Sequence, residues 1–253
     1  KIEDHNKGLK HIHNKEIVSI GDPDLRFEED PVRSLRAIRF CTKLNFKINN
    51  DIKEAIYKKG HLLSSVSNAR LFDEFCKIFL NGMAEKNFNK LVSFGLNKYL
   101  VSTNLNGCEF SNQLIIEALR NTDNRIKNNQ SVTPGFLIAA LLWPQLIKKS
   151  LKGNEINLKK FFRSMDSILR NQQKITAIPR KFHTYIKDIW VLQLKLHSRI
   201  GRQPYKTLKH PRFRAAYDFL LVREKATAKT KDLGFWWTEF QKNNEDLKKK
   251  LIN

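Results

Sequence analysis

The chain has 253 residues, 41% of them hydrophobic, which is enough for one large or two small cores and too much for a disordered polymer. Lysine and arginine outnumber the acids 47 to 25, and the resulting net charge of +22 is spread along the sequence, a balance that favours a polyanionic partner such as nucleic acid. No apolar run approaches the ~20 residues of a membrane span, and the first residues lack a signal-peptide pattern, so a soluble, cytoplasmic chain with no membrane partner is expected.

Residues 1–25 do not read as the start of a domain. Gly21-Asp-Pro-Asp24 is a turn cluster, and its Asp22 and Asp24 have Asp-x-Asp spacing but flank a proline in a linker with no glycine-rich approach. Asp30 is then a good N-cap and Pro31 suits the first helical position, so a helix is expected over 30–46. At 100° per residue Leu35, Ala37, Ile38, Cys41, Leu44 and Phe46 cover most of its circumference. Arg33, Arg36, Arg39 and Lys43 share the remaining arc of roughly 120°. Four cations on a largely buried helix need anions. Internal carboxylates (Glu28, Glu29, Asp73 or Glu74) can supply them, or the phosphates of a nucleotide or RNA can. Asp30 and Arg33, at i and i+3, pair an acceptor with a planar five-donor fork, the equipment for reading a base edge.

Asn50 and Asp51 are expected to cap a short helix carrying Ile52, Ala55 and Ile56 as far as Gly60. Ser67 caps the next, with Leu71, Phe75, Ile78 and Phe79 at helical spacing until Asn81-Gly82 stops it. Arg70 and Glu74 lie at i and i+4 on its side, the spacing of a plain helical salt bridge. Another short helix carries Phe88, Leu91, Val92 and Phe94 to a glycine stop at Gly95, and 101–110 reads as a loop and internal boundary.

Leu114, Ile115, Ala118 and Leu119 predict a helix ending near Asn121. Thr133-Pro134 starts one carrying Phe136, Leu137, Ala140 and Leu141 to Trp143-Pro144, and 156–175 is amphipathic up to a break near Pro179. The last third is basic and aromatic. Phe182, Ile186, Ile189, Trp190 and Leu194 make an apolar face with Lys181, Lys187, Lys195 and Arg199 outside it, and His210-Pro-Arg-Phe-Arg-Ala-Ala-Tyr-Asp and Trp236-Trp237 follow. Such aromatics can stack RNA bases, although stripes at helical spacing are usually core. His210 reads as a residue leading into a helix. His183 and His197 are scattered, and Cys41, Cys76 and Cys108 lack ligand spacing, so no metal site is expected and the cysteines read as small core residues of a reducing compartment. With no strand-rich alternation, Walker loop or dinucleotide-binding glycine pattern, the fold class expected is all-α.

The words Glu29-Asp-Pro-Val-Arg-Ser-Leu-Arg-Ala-Ile-Arg-Phe40, Val66-Ser-Asn-Ala-Arg-Leu-Phe-Asp-Glu-Phe-Cys-Lys77 and Phe94-Gly-Leu96 resemble the neck of the class II nucleotidyltransferases, which include CCA-adding tRNA enzymes and bacterial poly(A) polymerases. The 121–126 and 134–140 words and the His210-Pro-Arg region are similar to the poly(A) polymerases. The resemblance implies a multi-helix neck, body and tail: 1–25 a remnant of head and linker, 26–105 the neck, 106–178 a helical body and 179–253 a basic C-terminal RNA-binding region. It implies that Asp30, Arg33, Arg36 and Arg39 contact the incoming nucleotide, that Glu29, Arg70 and Glu74 support the site, and that Lys43, Arg199, Arg202, Arg212 and Arg214 meet RNA. ATP is the implied substrate and RNA 3′ ends the implied partner. The family's Mg²⁺-clamping carboxylates belong to a catalytic head with no counterpart in these residues, so no residue here is expected to be catalytic and this chain alone is expected to be inactive. A CCA-adding enzyme and a stand-alone, non-catalytic RNA-binding module are the alternatives.

Overall fold

The same two-residue grammar starts two successive helices. Asp22 accepts a bond from the Asp24 N–H ahead of Pro23, and eight residues later Asp30 accepts one from the Val32 N–H at 3.2 Å ahead of Pro31. A computed structural model describes residues 3–102, 109–227 and 231–252, and the chain divides into two units, one of Lys1–Ser102 with Asn171–Ala177 and one of Thr103–Arg170 with Ile178–Asn253. Among the described residues the architecture is all-α, with fourteen helices and four two-residue strands.

The first unit contains α1 (Gly8–His13), β1 (Glu16–Ile17), α2 (Pro23–Glu29), α3 (Val32–Leu44), β2 (Lys47–Ile48), α4 (Asn50–Lys59), α5 (Asn68–Phe79) and α6 (Ala84–Ser93), with 3₁₀ turns at Gly60–Ser65 and Asn97–Tyr99. The α2 helix corrects the sequence reading, which left 21–24 as a turn. The central helix is also shorter than the expected 30–46. Asn45 adopts φ 54°, and the Phe46 N–H returns to the Cys41 carbonyl at 3.0 Å, a Schellman stop that takes Phe46 out of the helix. Leu44, expected inside, is 48% exposed, because the buried stripe runs instead through Val32, Leu35, Ile38 and Cys41.

Two capping details differ as well. Asn49, one residue before the expected pair, caps α4 by accepting from the Ile52 N–H at 3.0 Å, and Ser67 stands at the α5 cap position without a side-chain bond. Val92 is exposed rather than part of the α6 core face. The core gathers Leu35, Ile38, Leu63, Phe75, Phe79 and Leu91, with the Phe75 and Phe79 rings 4.9 Å apart. Residues 171–177 complete this unit. Buried Gln172 donates to the Leu100 carbonyl (2.9 Å) and Thr176 (2.7 Å) and accepts from the Ser102 N–H (2.8 Å), while the Ala177 N–H reaches the Asn68 carbonyl.

The second unit contains α7 (Glu109–Lys127), α8 (Pro134–Ser150), β3 (Leu151–Lys152), β4 (Glu155–Ile156), α9 (Leu158–Gln173, whose last three residues belong to the first unit), α10 (Arg180–Lys195), α11 (Gln203–Leu208), α12 (Phe213–Ala226), α13 (Lys231–Lys242) and α14 (Glu245–Ile252). Helices α7, α8, α10 and α12 pack on one another. Two sequence-read helix ends are overturned. α7 runs past Asn121 to Lys127. α8 continues through Pro144 to Ser150, because Leu142, Trp143 and Leu146 are buried on both sides of the proline and hold the helix together where one backbone bond is missing. The stretch read as a loop at 101–110 lies largely outside the described residues, as does Cys108.

Candidate functional site

The junction of α2, α3 and α5 assembles the charged residues that the sequence singled out. The Asp30 carboxylate is held at both oxygens, Oδ1 by the Val32 N–H and Oδ2 by Arg70 Nη2 at 2.8 Å. Arg39, on α3, lies 3.9 Å through Nε from Glu74 Oε2 on α5, and its guanidinium stands 4.8 Å from the Phe40 ring centroid. Glu74, 4% exposed, also receives Lys77 at 2.9 Å. The i, i+4 salt bridge read between Arg70 and Glu74 does not form. Each residue instead ties α5 to a different end of the α2–α3 region, Arg70 to Asp30 and Glu74 to Arg39.

The acids of α2 are answered elsewhere. Glu29 makes a surface pair with Arg26 at 2.9 Å, Glu28 pairs with Lys59, and Asp24 pairs with Lys58, whose ammonium pKa that contact raises. The neighbouring Asp22 is spent on capping α2. Internal carboxylates therefore give Arg39 an ion-pair partner in Glu74, although its Nε makes no hydrogen bond, and leave the rest of the arc. Arg33, Arg36 and Lys43 have no ion pair among the described residues, and the Arg33 Nε is shielded from solvent with no hydrogen-bond partner. A buried N–H without an acceptor is costly, and a ligand acceptor placed against it relieves that cost. Asp30 and Arg33 are therefore adjacent on one helix start, with Asp30 fixed in place by two donors and still carrying free lone pairs.

Elsewhere Arg199 and Arg202 are exposed around Gly201, and Arg212 and Arg214 line a cavity in the second unit. Trp236 and Trp237 are core residues. They are 8% and 0% exposed, packed with Phe213 and Phe240, and the Trp237 indole donates to the Leu196 carbonyl at 2.9 Å, so neither presents a face to an RNA base. His210 Nδ1 accepts the Arg212 N–H ahead of α12. Sequence reasoning missed Lys58 and Lys59, which neutralise α2, and Arg125, Tyr185 and Asp218, which meet Arg212 and Arg214 at the cavity. Most of them are far apart in the chain, although Arg214 and Asp218 stand at i and i+4 on α12, a spacing the sequence does offer. Among the described residues no group of three or more His, Cys, Asp or Glu is placed to hold a metal ion, and no helix is long and apolar enough to cross a membrane.

Residues 45–103 match the family model described as "Probable RNA and SrmB- binding site of polymerase A", and residues 154–253 match "Polymerase A arginine-rich C-terminus". The chain is 35% identical to poly(A) polymerase I of Salmonella typhi over 100% of its own length and 57% of that protein, so it spans a little over half of the curated relatives it matches. A CCA-adding enzyme of Anoxybacillus flavithermus is 37% identical over 93 residues, 37% of this chain and 23% of that enzyme. Among solved structures, the Thermotoga maritima CCA-adding enzyme complexed with tRNA shares the fold at a TM-score of 0.62 and 17% identity, over 95% of this chain and 56% of that one.

Proposed function

We propose that this chain, similar over its whole length to bacterial poly(A) polymerase I, is the nucleotide-recognition and RNA-binding portion of an enzyme that adds AMP from ATP to RNA 3′ ends in the cytoplasm. The observation that carries this reading is the unanswered cationic arc of α3 beside a fixed carboxylate. Arg33, Arg36 and Lys43 lack internal anions, while Asp30 is locked by Arg70 and the Val32 N–H. Adenine offers an amine donor next to a ring-nitrogen acceptor. Asp30 accepts the former and the Arg33 fork donates to the latter. Arg36, exposed one turn along, meets the phosphates, and Arg39, anchored by Glu74, keeps α3 in register with α5. Glu29 and Arg26 brace the end of α2 on the surface side.

The neck, body and tail reading of 26–105, 106–178 and 179–253 assigns RNA contact to Lys43, Arg199, Arg202, Arg212 and Arg214, through phosphates and without sequence preference. Poly(A) polymerase is favoured over a CCA-adding enzyme because its relatives match the whole chain, whereas CCA-adding enzymes match over 93 to 100 residues. Two Mg²⁺ ions supply the transfer chemistry in this reaction class by clamping the attacking and leaving oxygens. The described residues do not fit such a pair. Asp22 and Asp24, the Asp-x-Asp candidates, are committed to a helix cap and to Lys58, so no transfer step is assigned to them.

The test is Arg33→Ala in a full-length enzyme containing this segment, with primer extension and RNA affinity measured side by side. ATP use should fall by at least tenfold while RNA binding changes less than about twofold. Equal losses in both would remove the base-reading role. Extension with CCA instead of oligoadenylate would move the assignment to the tRNA enzymes.

A further inference from the structure

Within the second unit, α7, α8, α10 and α12 enclose a cavity of about 220 Å³ whose wall combines rings and guanidiniums. Phe136 from α8 and Tyr185 from α10 are half-buried, unlike Trp143 and Phe219 behind them, which are sealed. Gly135 lets the α10 rings come this close, since a Cβ there would stand 2.9 Å from Tyr185 Cδ1 and 3.0 Å from Phe182 Cδ1. Asp218 is shared by two arginines, Arg125 Nη1 at 3.1 Å on Oδ2 and Arg214 Nη2 at 2.8 Å on Oδ1, and Arg125 Nε is also tied to the Ser131 carbonyl at 3.1 Å. Arg212 has no carboxylate among the described residues. It stands 5.0 Å from the Tyr185 ring centroid. Three guanidiniums against one carboxylate leave the cavity net positive, with the uncommitted charge at its exposed mouth.

We propose that this cavity is a nucleotide-binding site separate from the Asp30–Arg33 pair, taking one flat base against Phe136 and Tyr185 and its phosphate between Arg212 and Arg214. The proposal rests on the RNA-binding reading above and extends it from diffuse phosphate contact to a built site. The size fits. The cavity is below the ~300–1,000 Å³ of pockets that enclose drug-sized molecules, which suits a single base with its phosphate outside. The chemistry fits as well, because aromatic stacking accepts any base while arginine supplies the anion contact. Half-buried Asp218 sets the geometry by holding Arg125 and Arg214 apart rather than cancelling Arg212. The nucleotide can come from an RNA strand or be free in solution.

The experiment measures fluorescence anisotropy of a labelled oligoadenylate RNA and of a labelled AMP on the full chain, at several salt concentrations, with Tyr185→Leu, Tyr185→Phe and Arg212→Gln. Tyr185→Leu should weaken RNA binding by roughly 5- to 100-fold at an unchanged salt slope, and Tyr185→Phe should bind like the parent. Arg212→Gln should lower the slope by about one. An RNA carrying 4-thiouridine, photocrosslinked to the unsubstituted chain, should attach within 122–136 or 185–218, which keeps the proposal testable if a variant misfolds. RNA binding that is identical in all variants, with crosslinks elsewhere, overturns the cavity but leaves the RNA-binding reading intact. AMP binding lost in Tyr185→Leu without any RNA binding overturns that reading and keeps a free-nucleotide site. Binding of neither probe overturns both.

Discussion

Replacing Glu74 by leucine should strand Arg39. Among the described residues Glu74 is the carboxylate that is fully buried, and it faces Arg39, whose side chain is only 18% exposed. Removing one partner of a buried ion pair costs about 3–5 kcal/mol because the remaining charge stays desolvated. Here the Nε–Oε2 gap is 3.9 Å, longer than a hydrogen bond, and Arg39 keeps some contact with water, so the cost sits lower, at about 2–3 kcal/mol. Loss of the Lys77 contact adds little, since that lysine is 54% exposed. For a chain of this length each kcal/mol moves the midpoint by ~2–4 °C, giving a drop of about 5–10 °C. Far-UV circular dichroism is the right probe, because all the tryptophans lie in the second unit and their fluorescence does not report on the first. Adding Arg39→Met to Glu74→Leu should restore at least half of the loss, as a matched apolar pair replaces the stranded ion. A Glu74→Leu midpoint within about 2 °C of the parent, or a double variant no better than the single one, would refute the claim that this pair binds α3 to α5.

Trp237→Ala should cost about 3–5 kcal/mol in urea denaturation, the value of a deleted core aromatic, whereas a surface base-stacking residue would cost under ~0.5. Asn45→Gly should leave stability unchanged or raise it slightly, and Asn45→Val should lower it by about 1–2 kcal/mol, because φ 54° at the end of α3 penalises a β-branched side chain; equal midpoints for the two would contradict the left-handed stop. Burial, with a smaller contribution from Asp73, pushes the Cys76 thiol up to about 11, so its thiolate is scarce at neutral pH. Its alkylation, followed by peptide mass spectrometry, should therefore be slow at pH 8 and keep accelerating towards pH 11, and a plateau near pH 9 would contradict that environment.

The helical fold class and the central segment were legible in the sequence because helix capping is local. Asp30-Pro31 and the 3.6-residue spacing of Leu35, Ile38 and Cys41 needed no tertiary information. The same Asp-Pro signal stood at Asp22-Pro23 and marks α2, where the neighbouring Gly21 invited a turn reading instead. Pro144 misled in the opposite direction, since a proline stop is a local rule that burial of Leu142, Trp143 and Leu146 overrides. Ion-pair partners were the least legible. Arg70 and Glu74 looked like each other's mates from their spacing, yet each is held by a residue some 35 to 40 positions away. The cavity around Asp218 joins residues from four helices and, beyond the i, i+4 spacing of Arg214 and Asp218, left no pattern in the chain.

The closing of the first unit by residues 171–177 has a bearing on how the protein is made. Gln172 supplies the buried bonds that seal Leu100 and Ser102, but it leaves the ribosome about 70 residues after Ser102 does. At the usual ~5–20 residues per second, the helices that carry Asp30 and Arg33 wait several seconds for their last strip of packing. During that interval the Leu100 carbonyl and the Asn68 edge are open to chaperones or to a wrong segment. Synonymous codons that slow or hasten translation between 103 and 170 should thus change the yield of the folded first unit without altering a single residue of it.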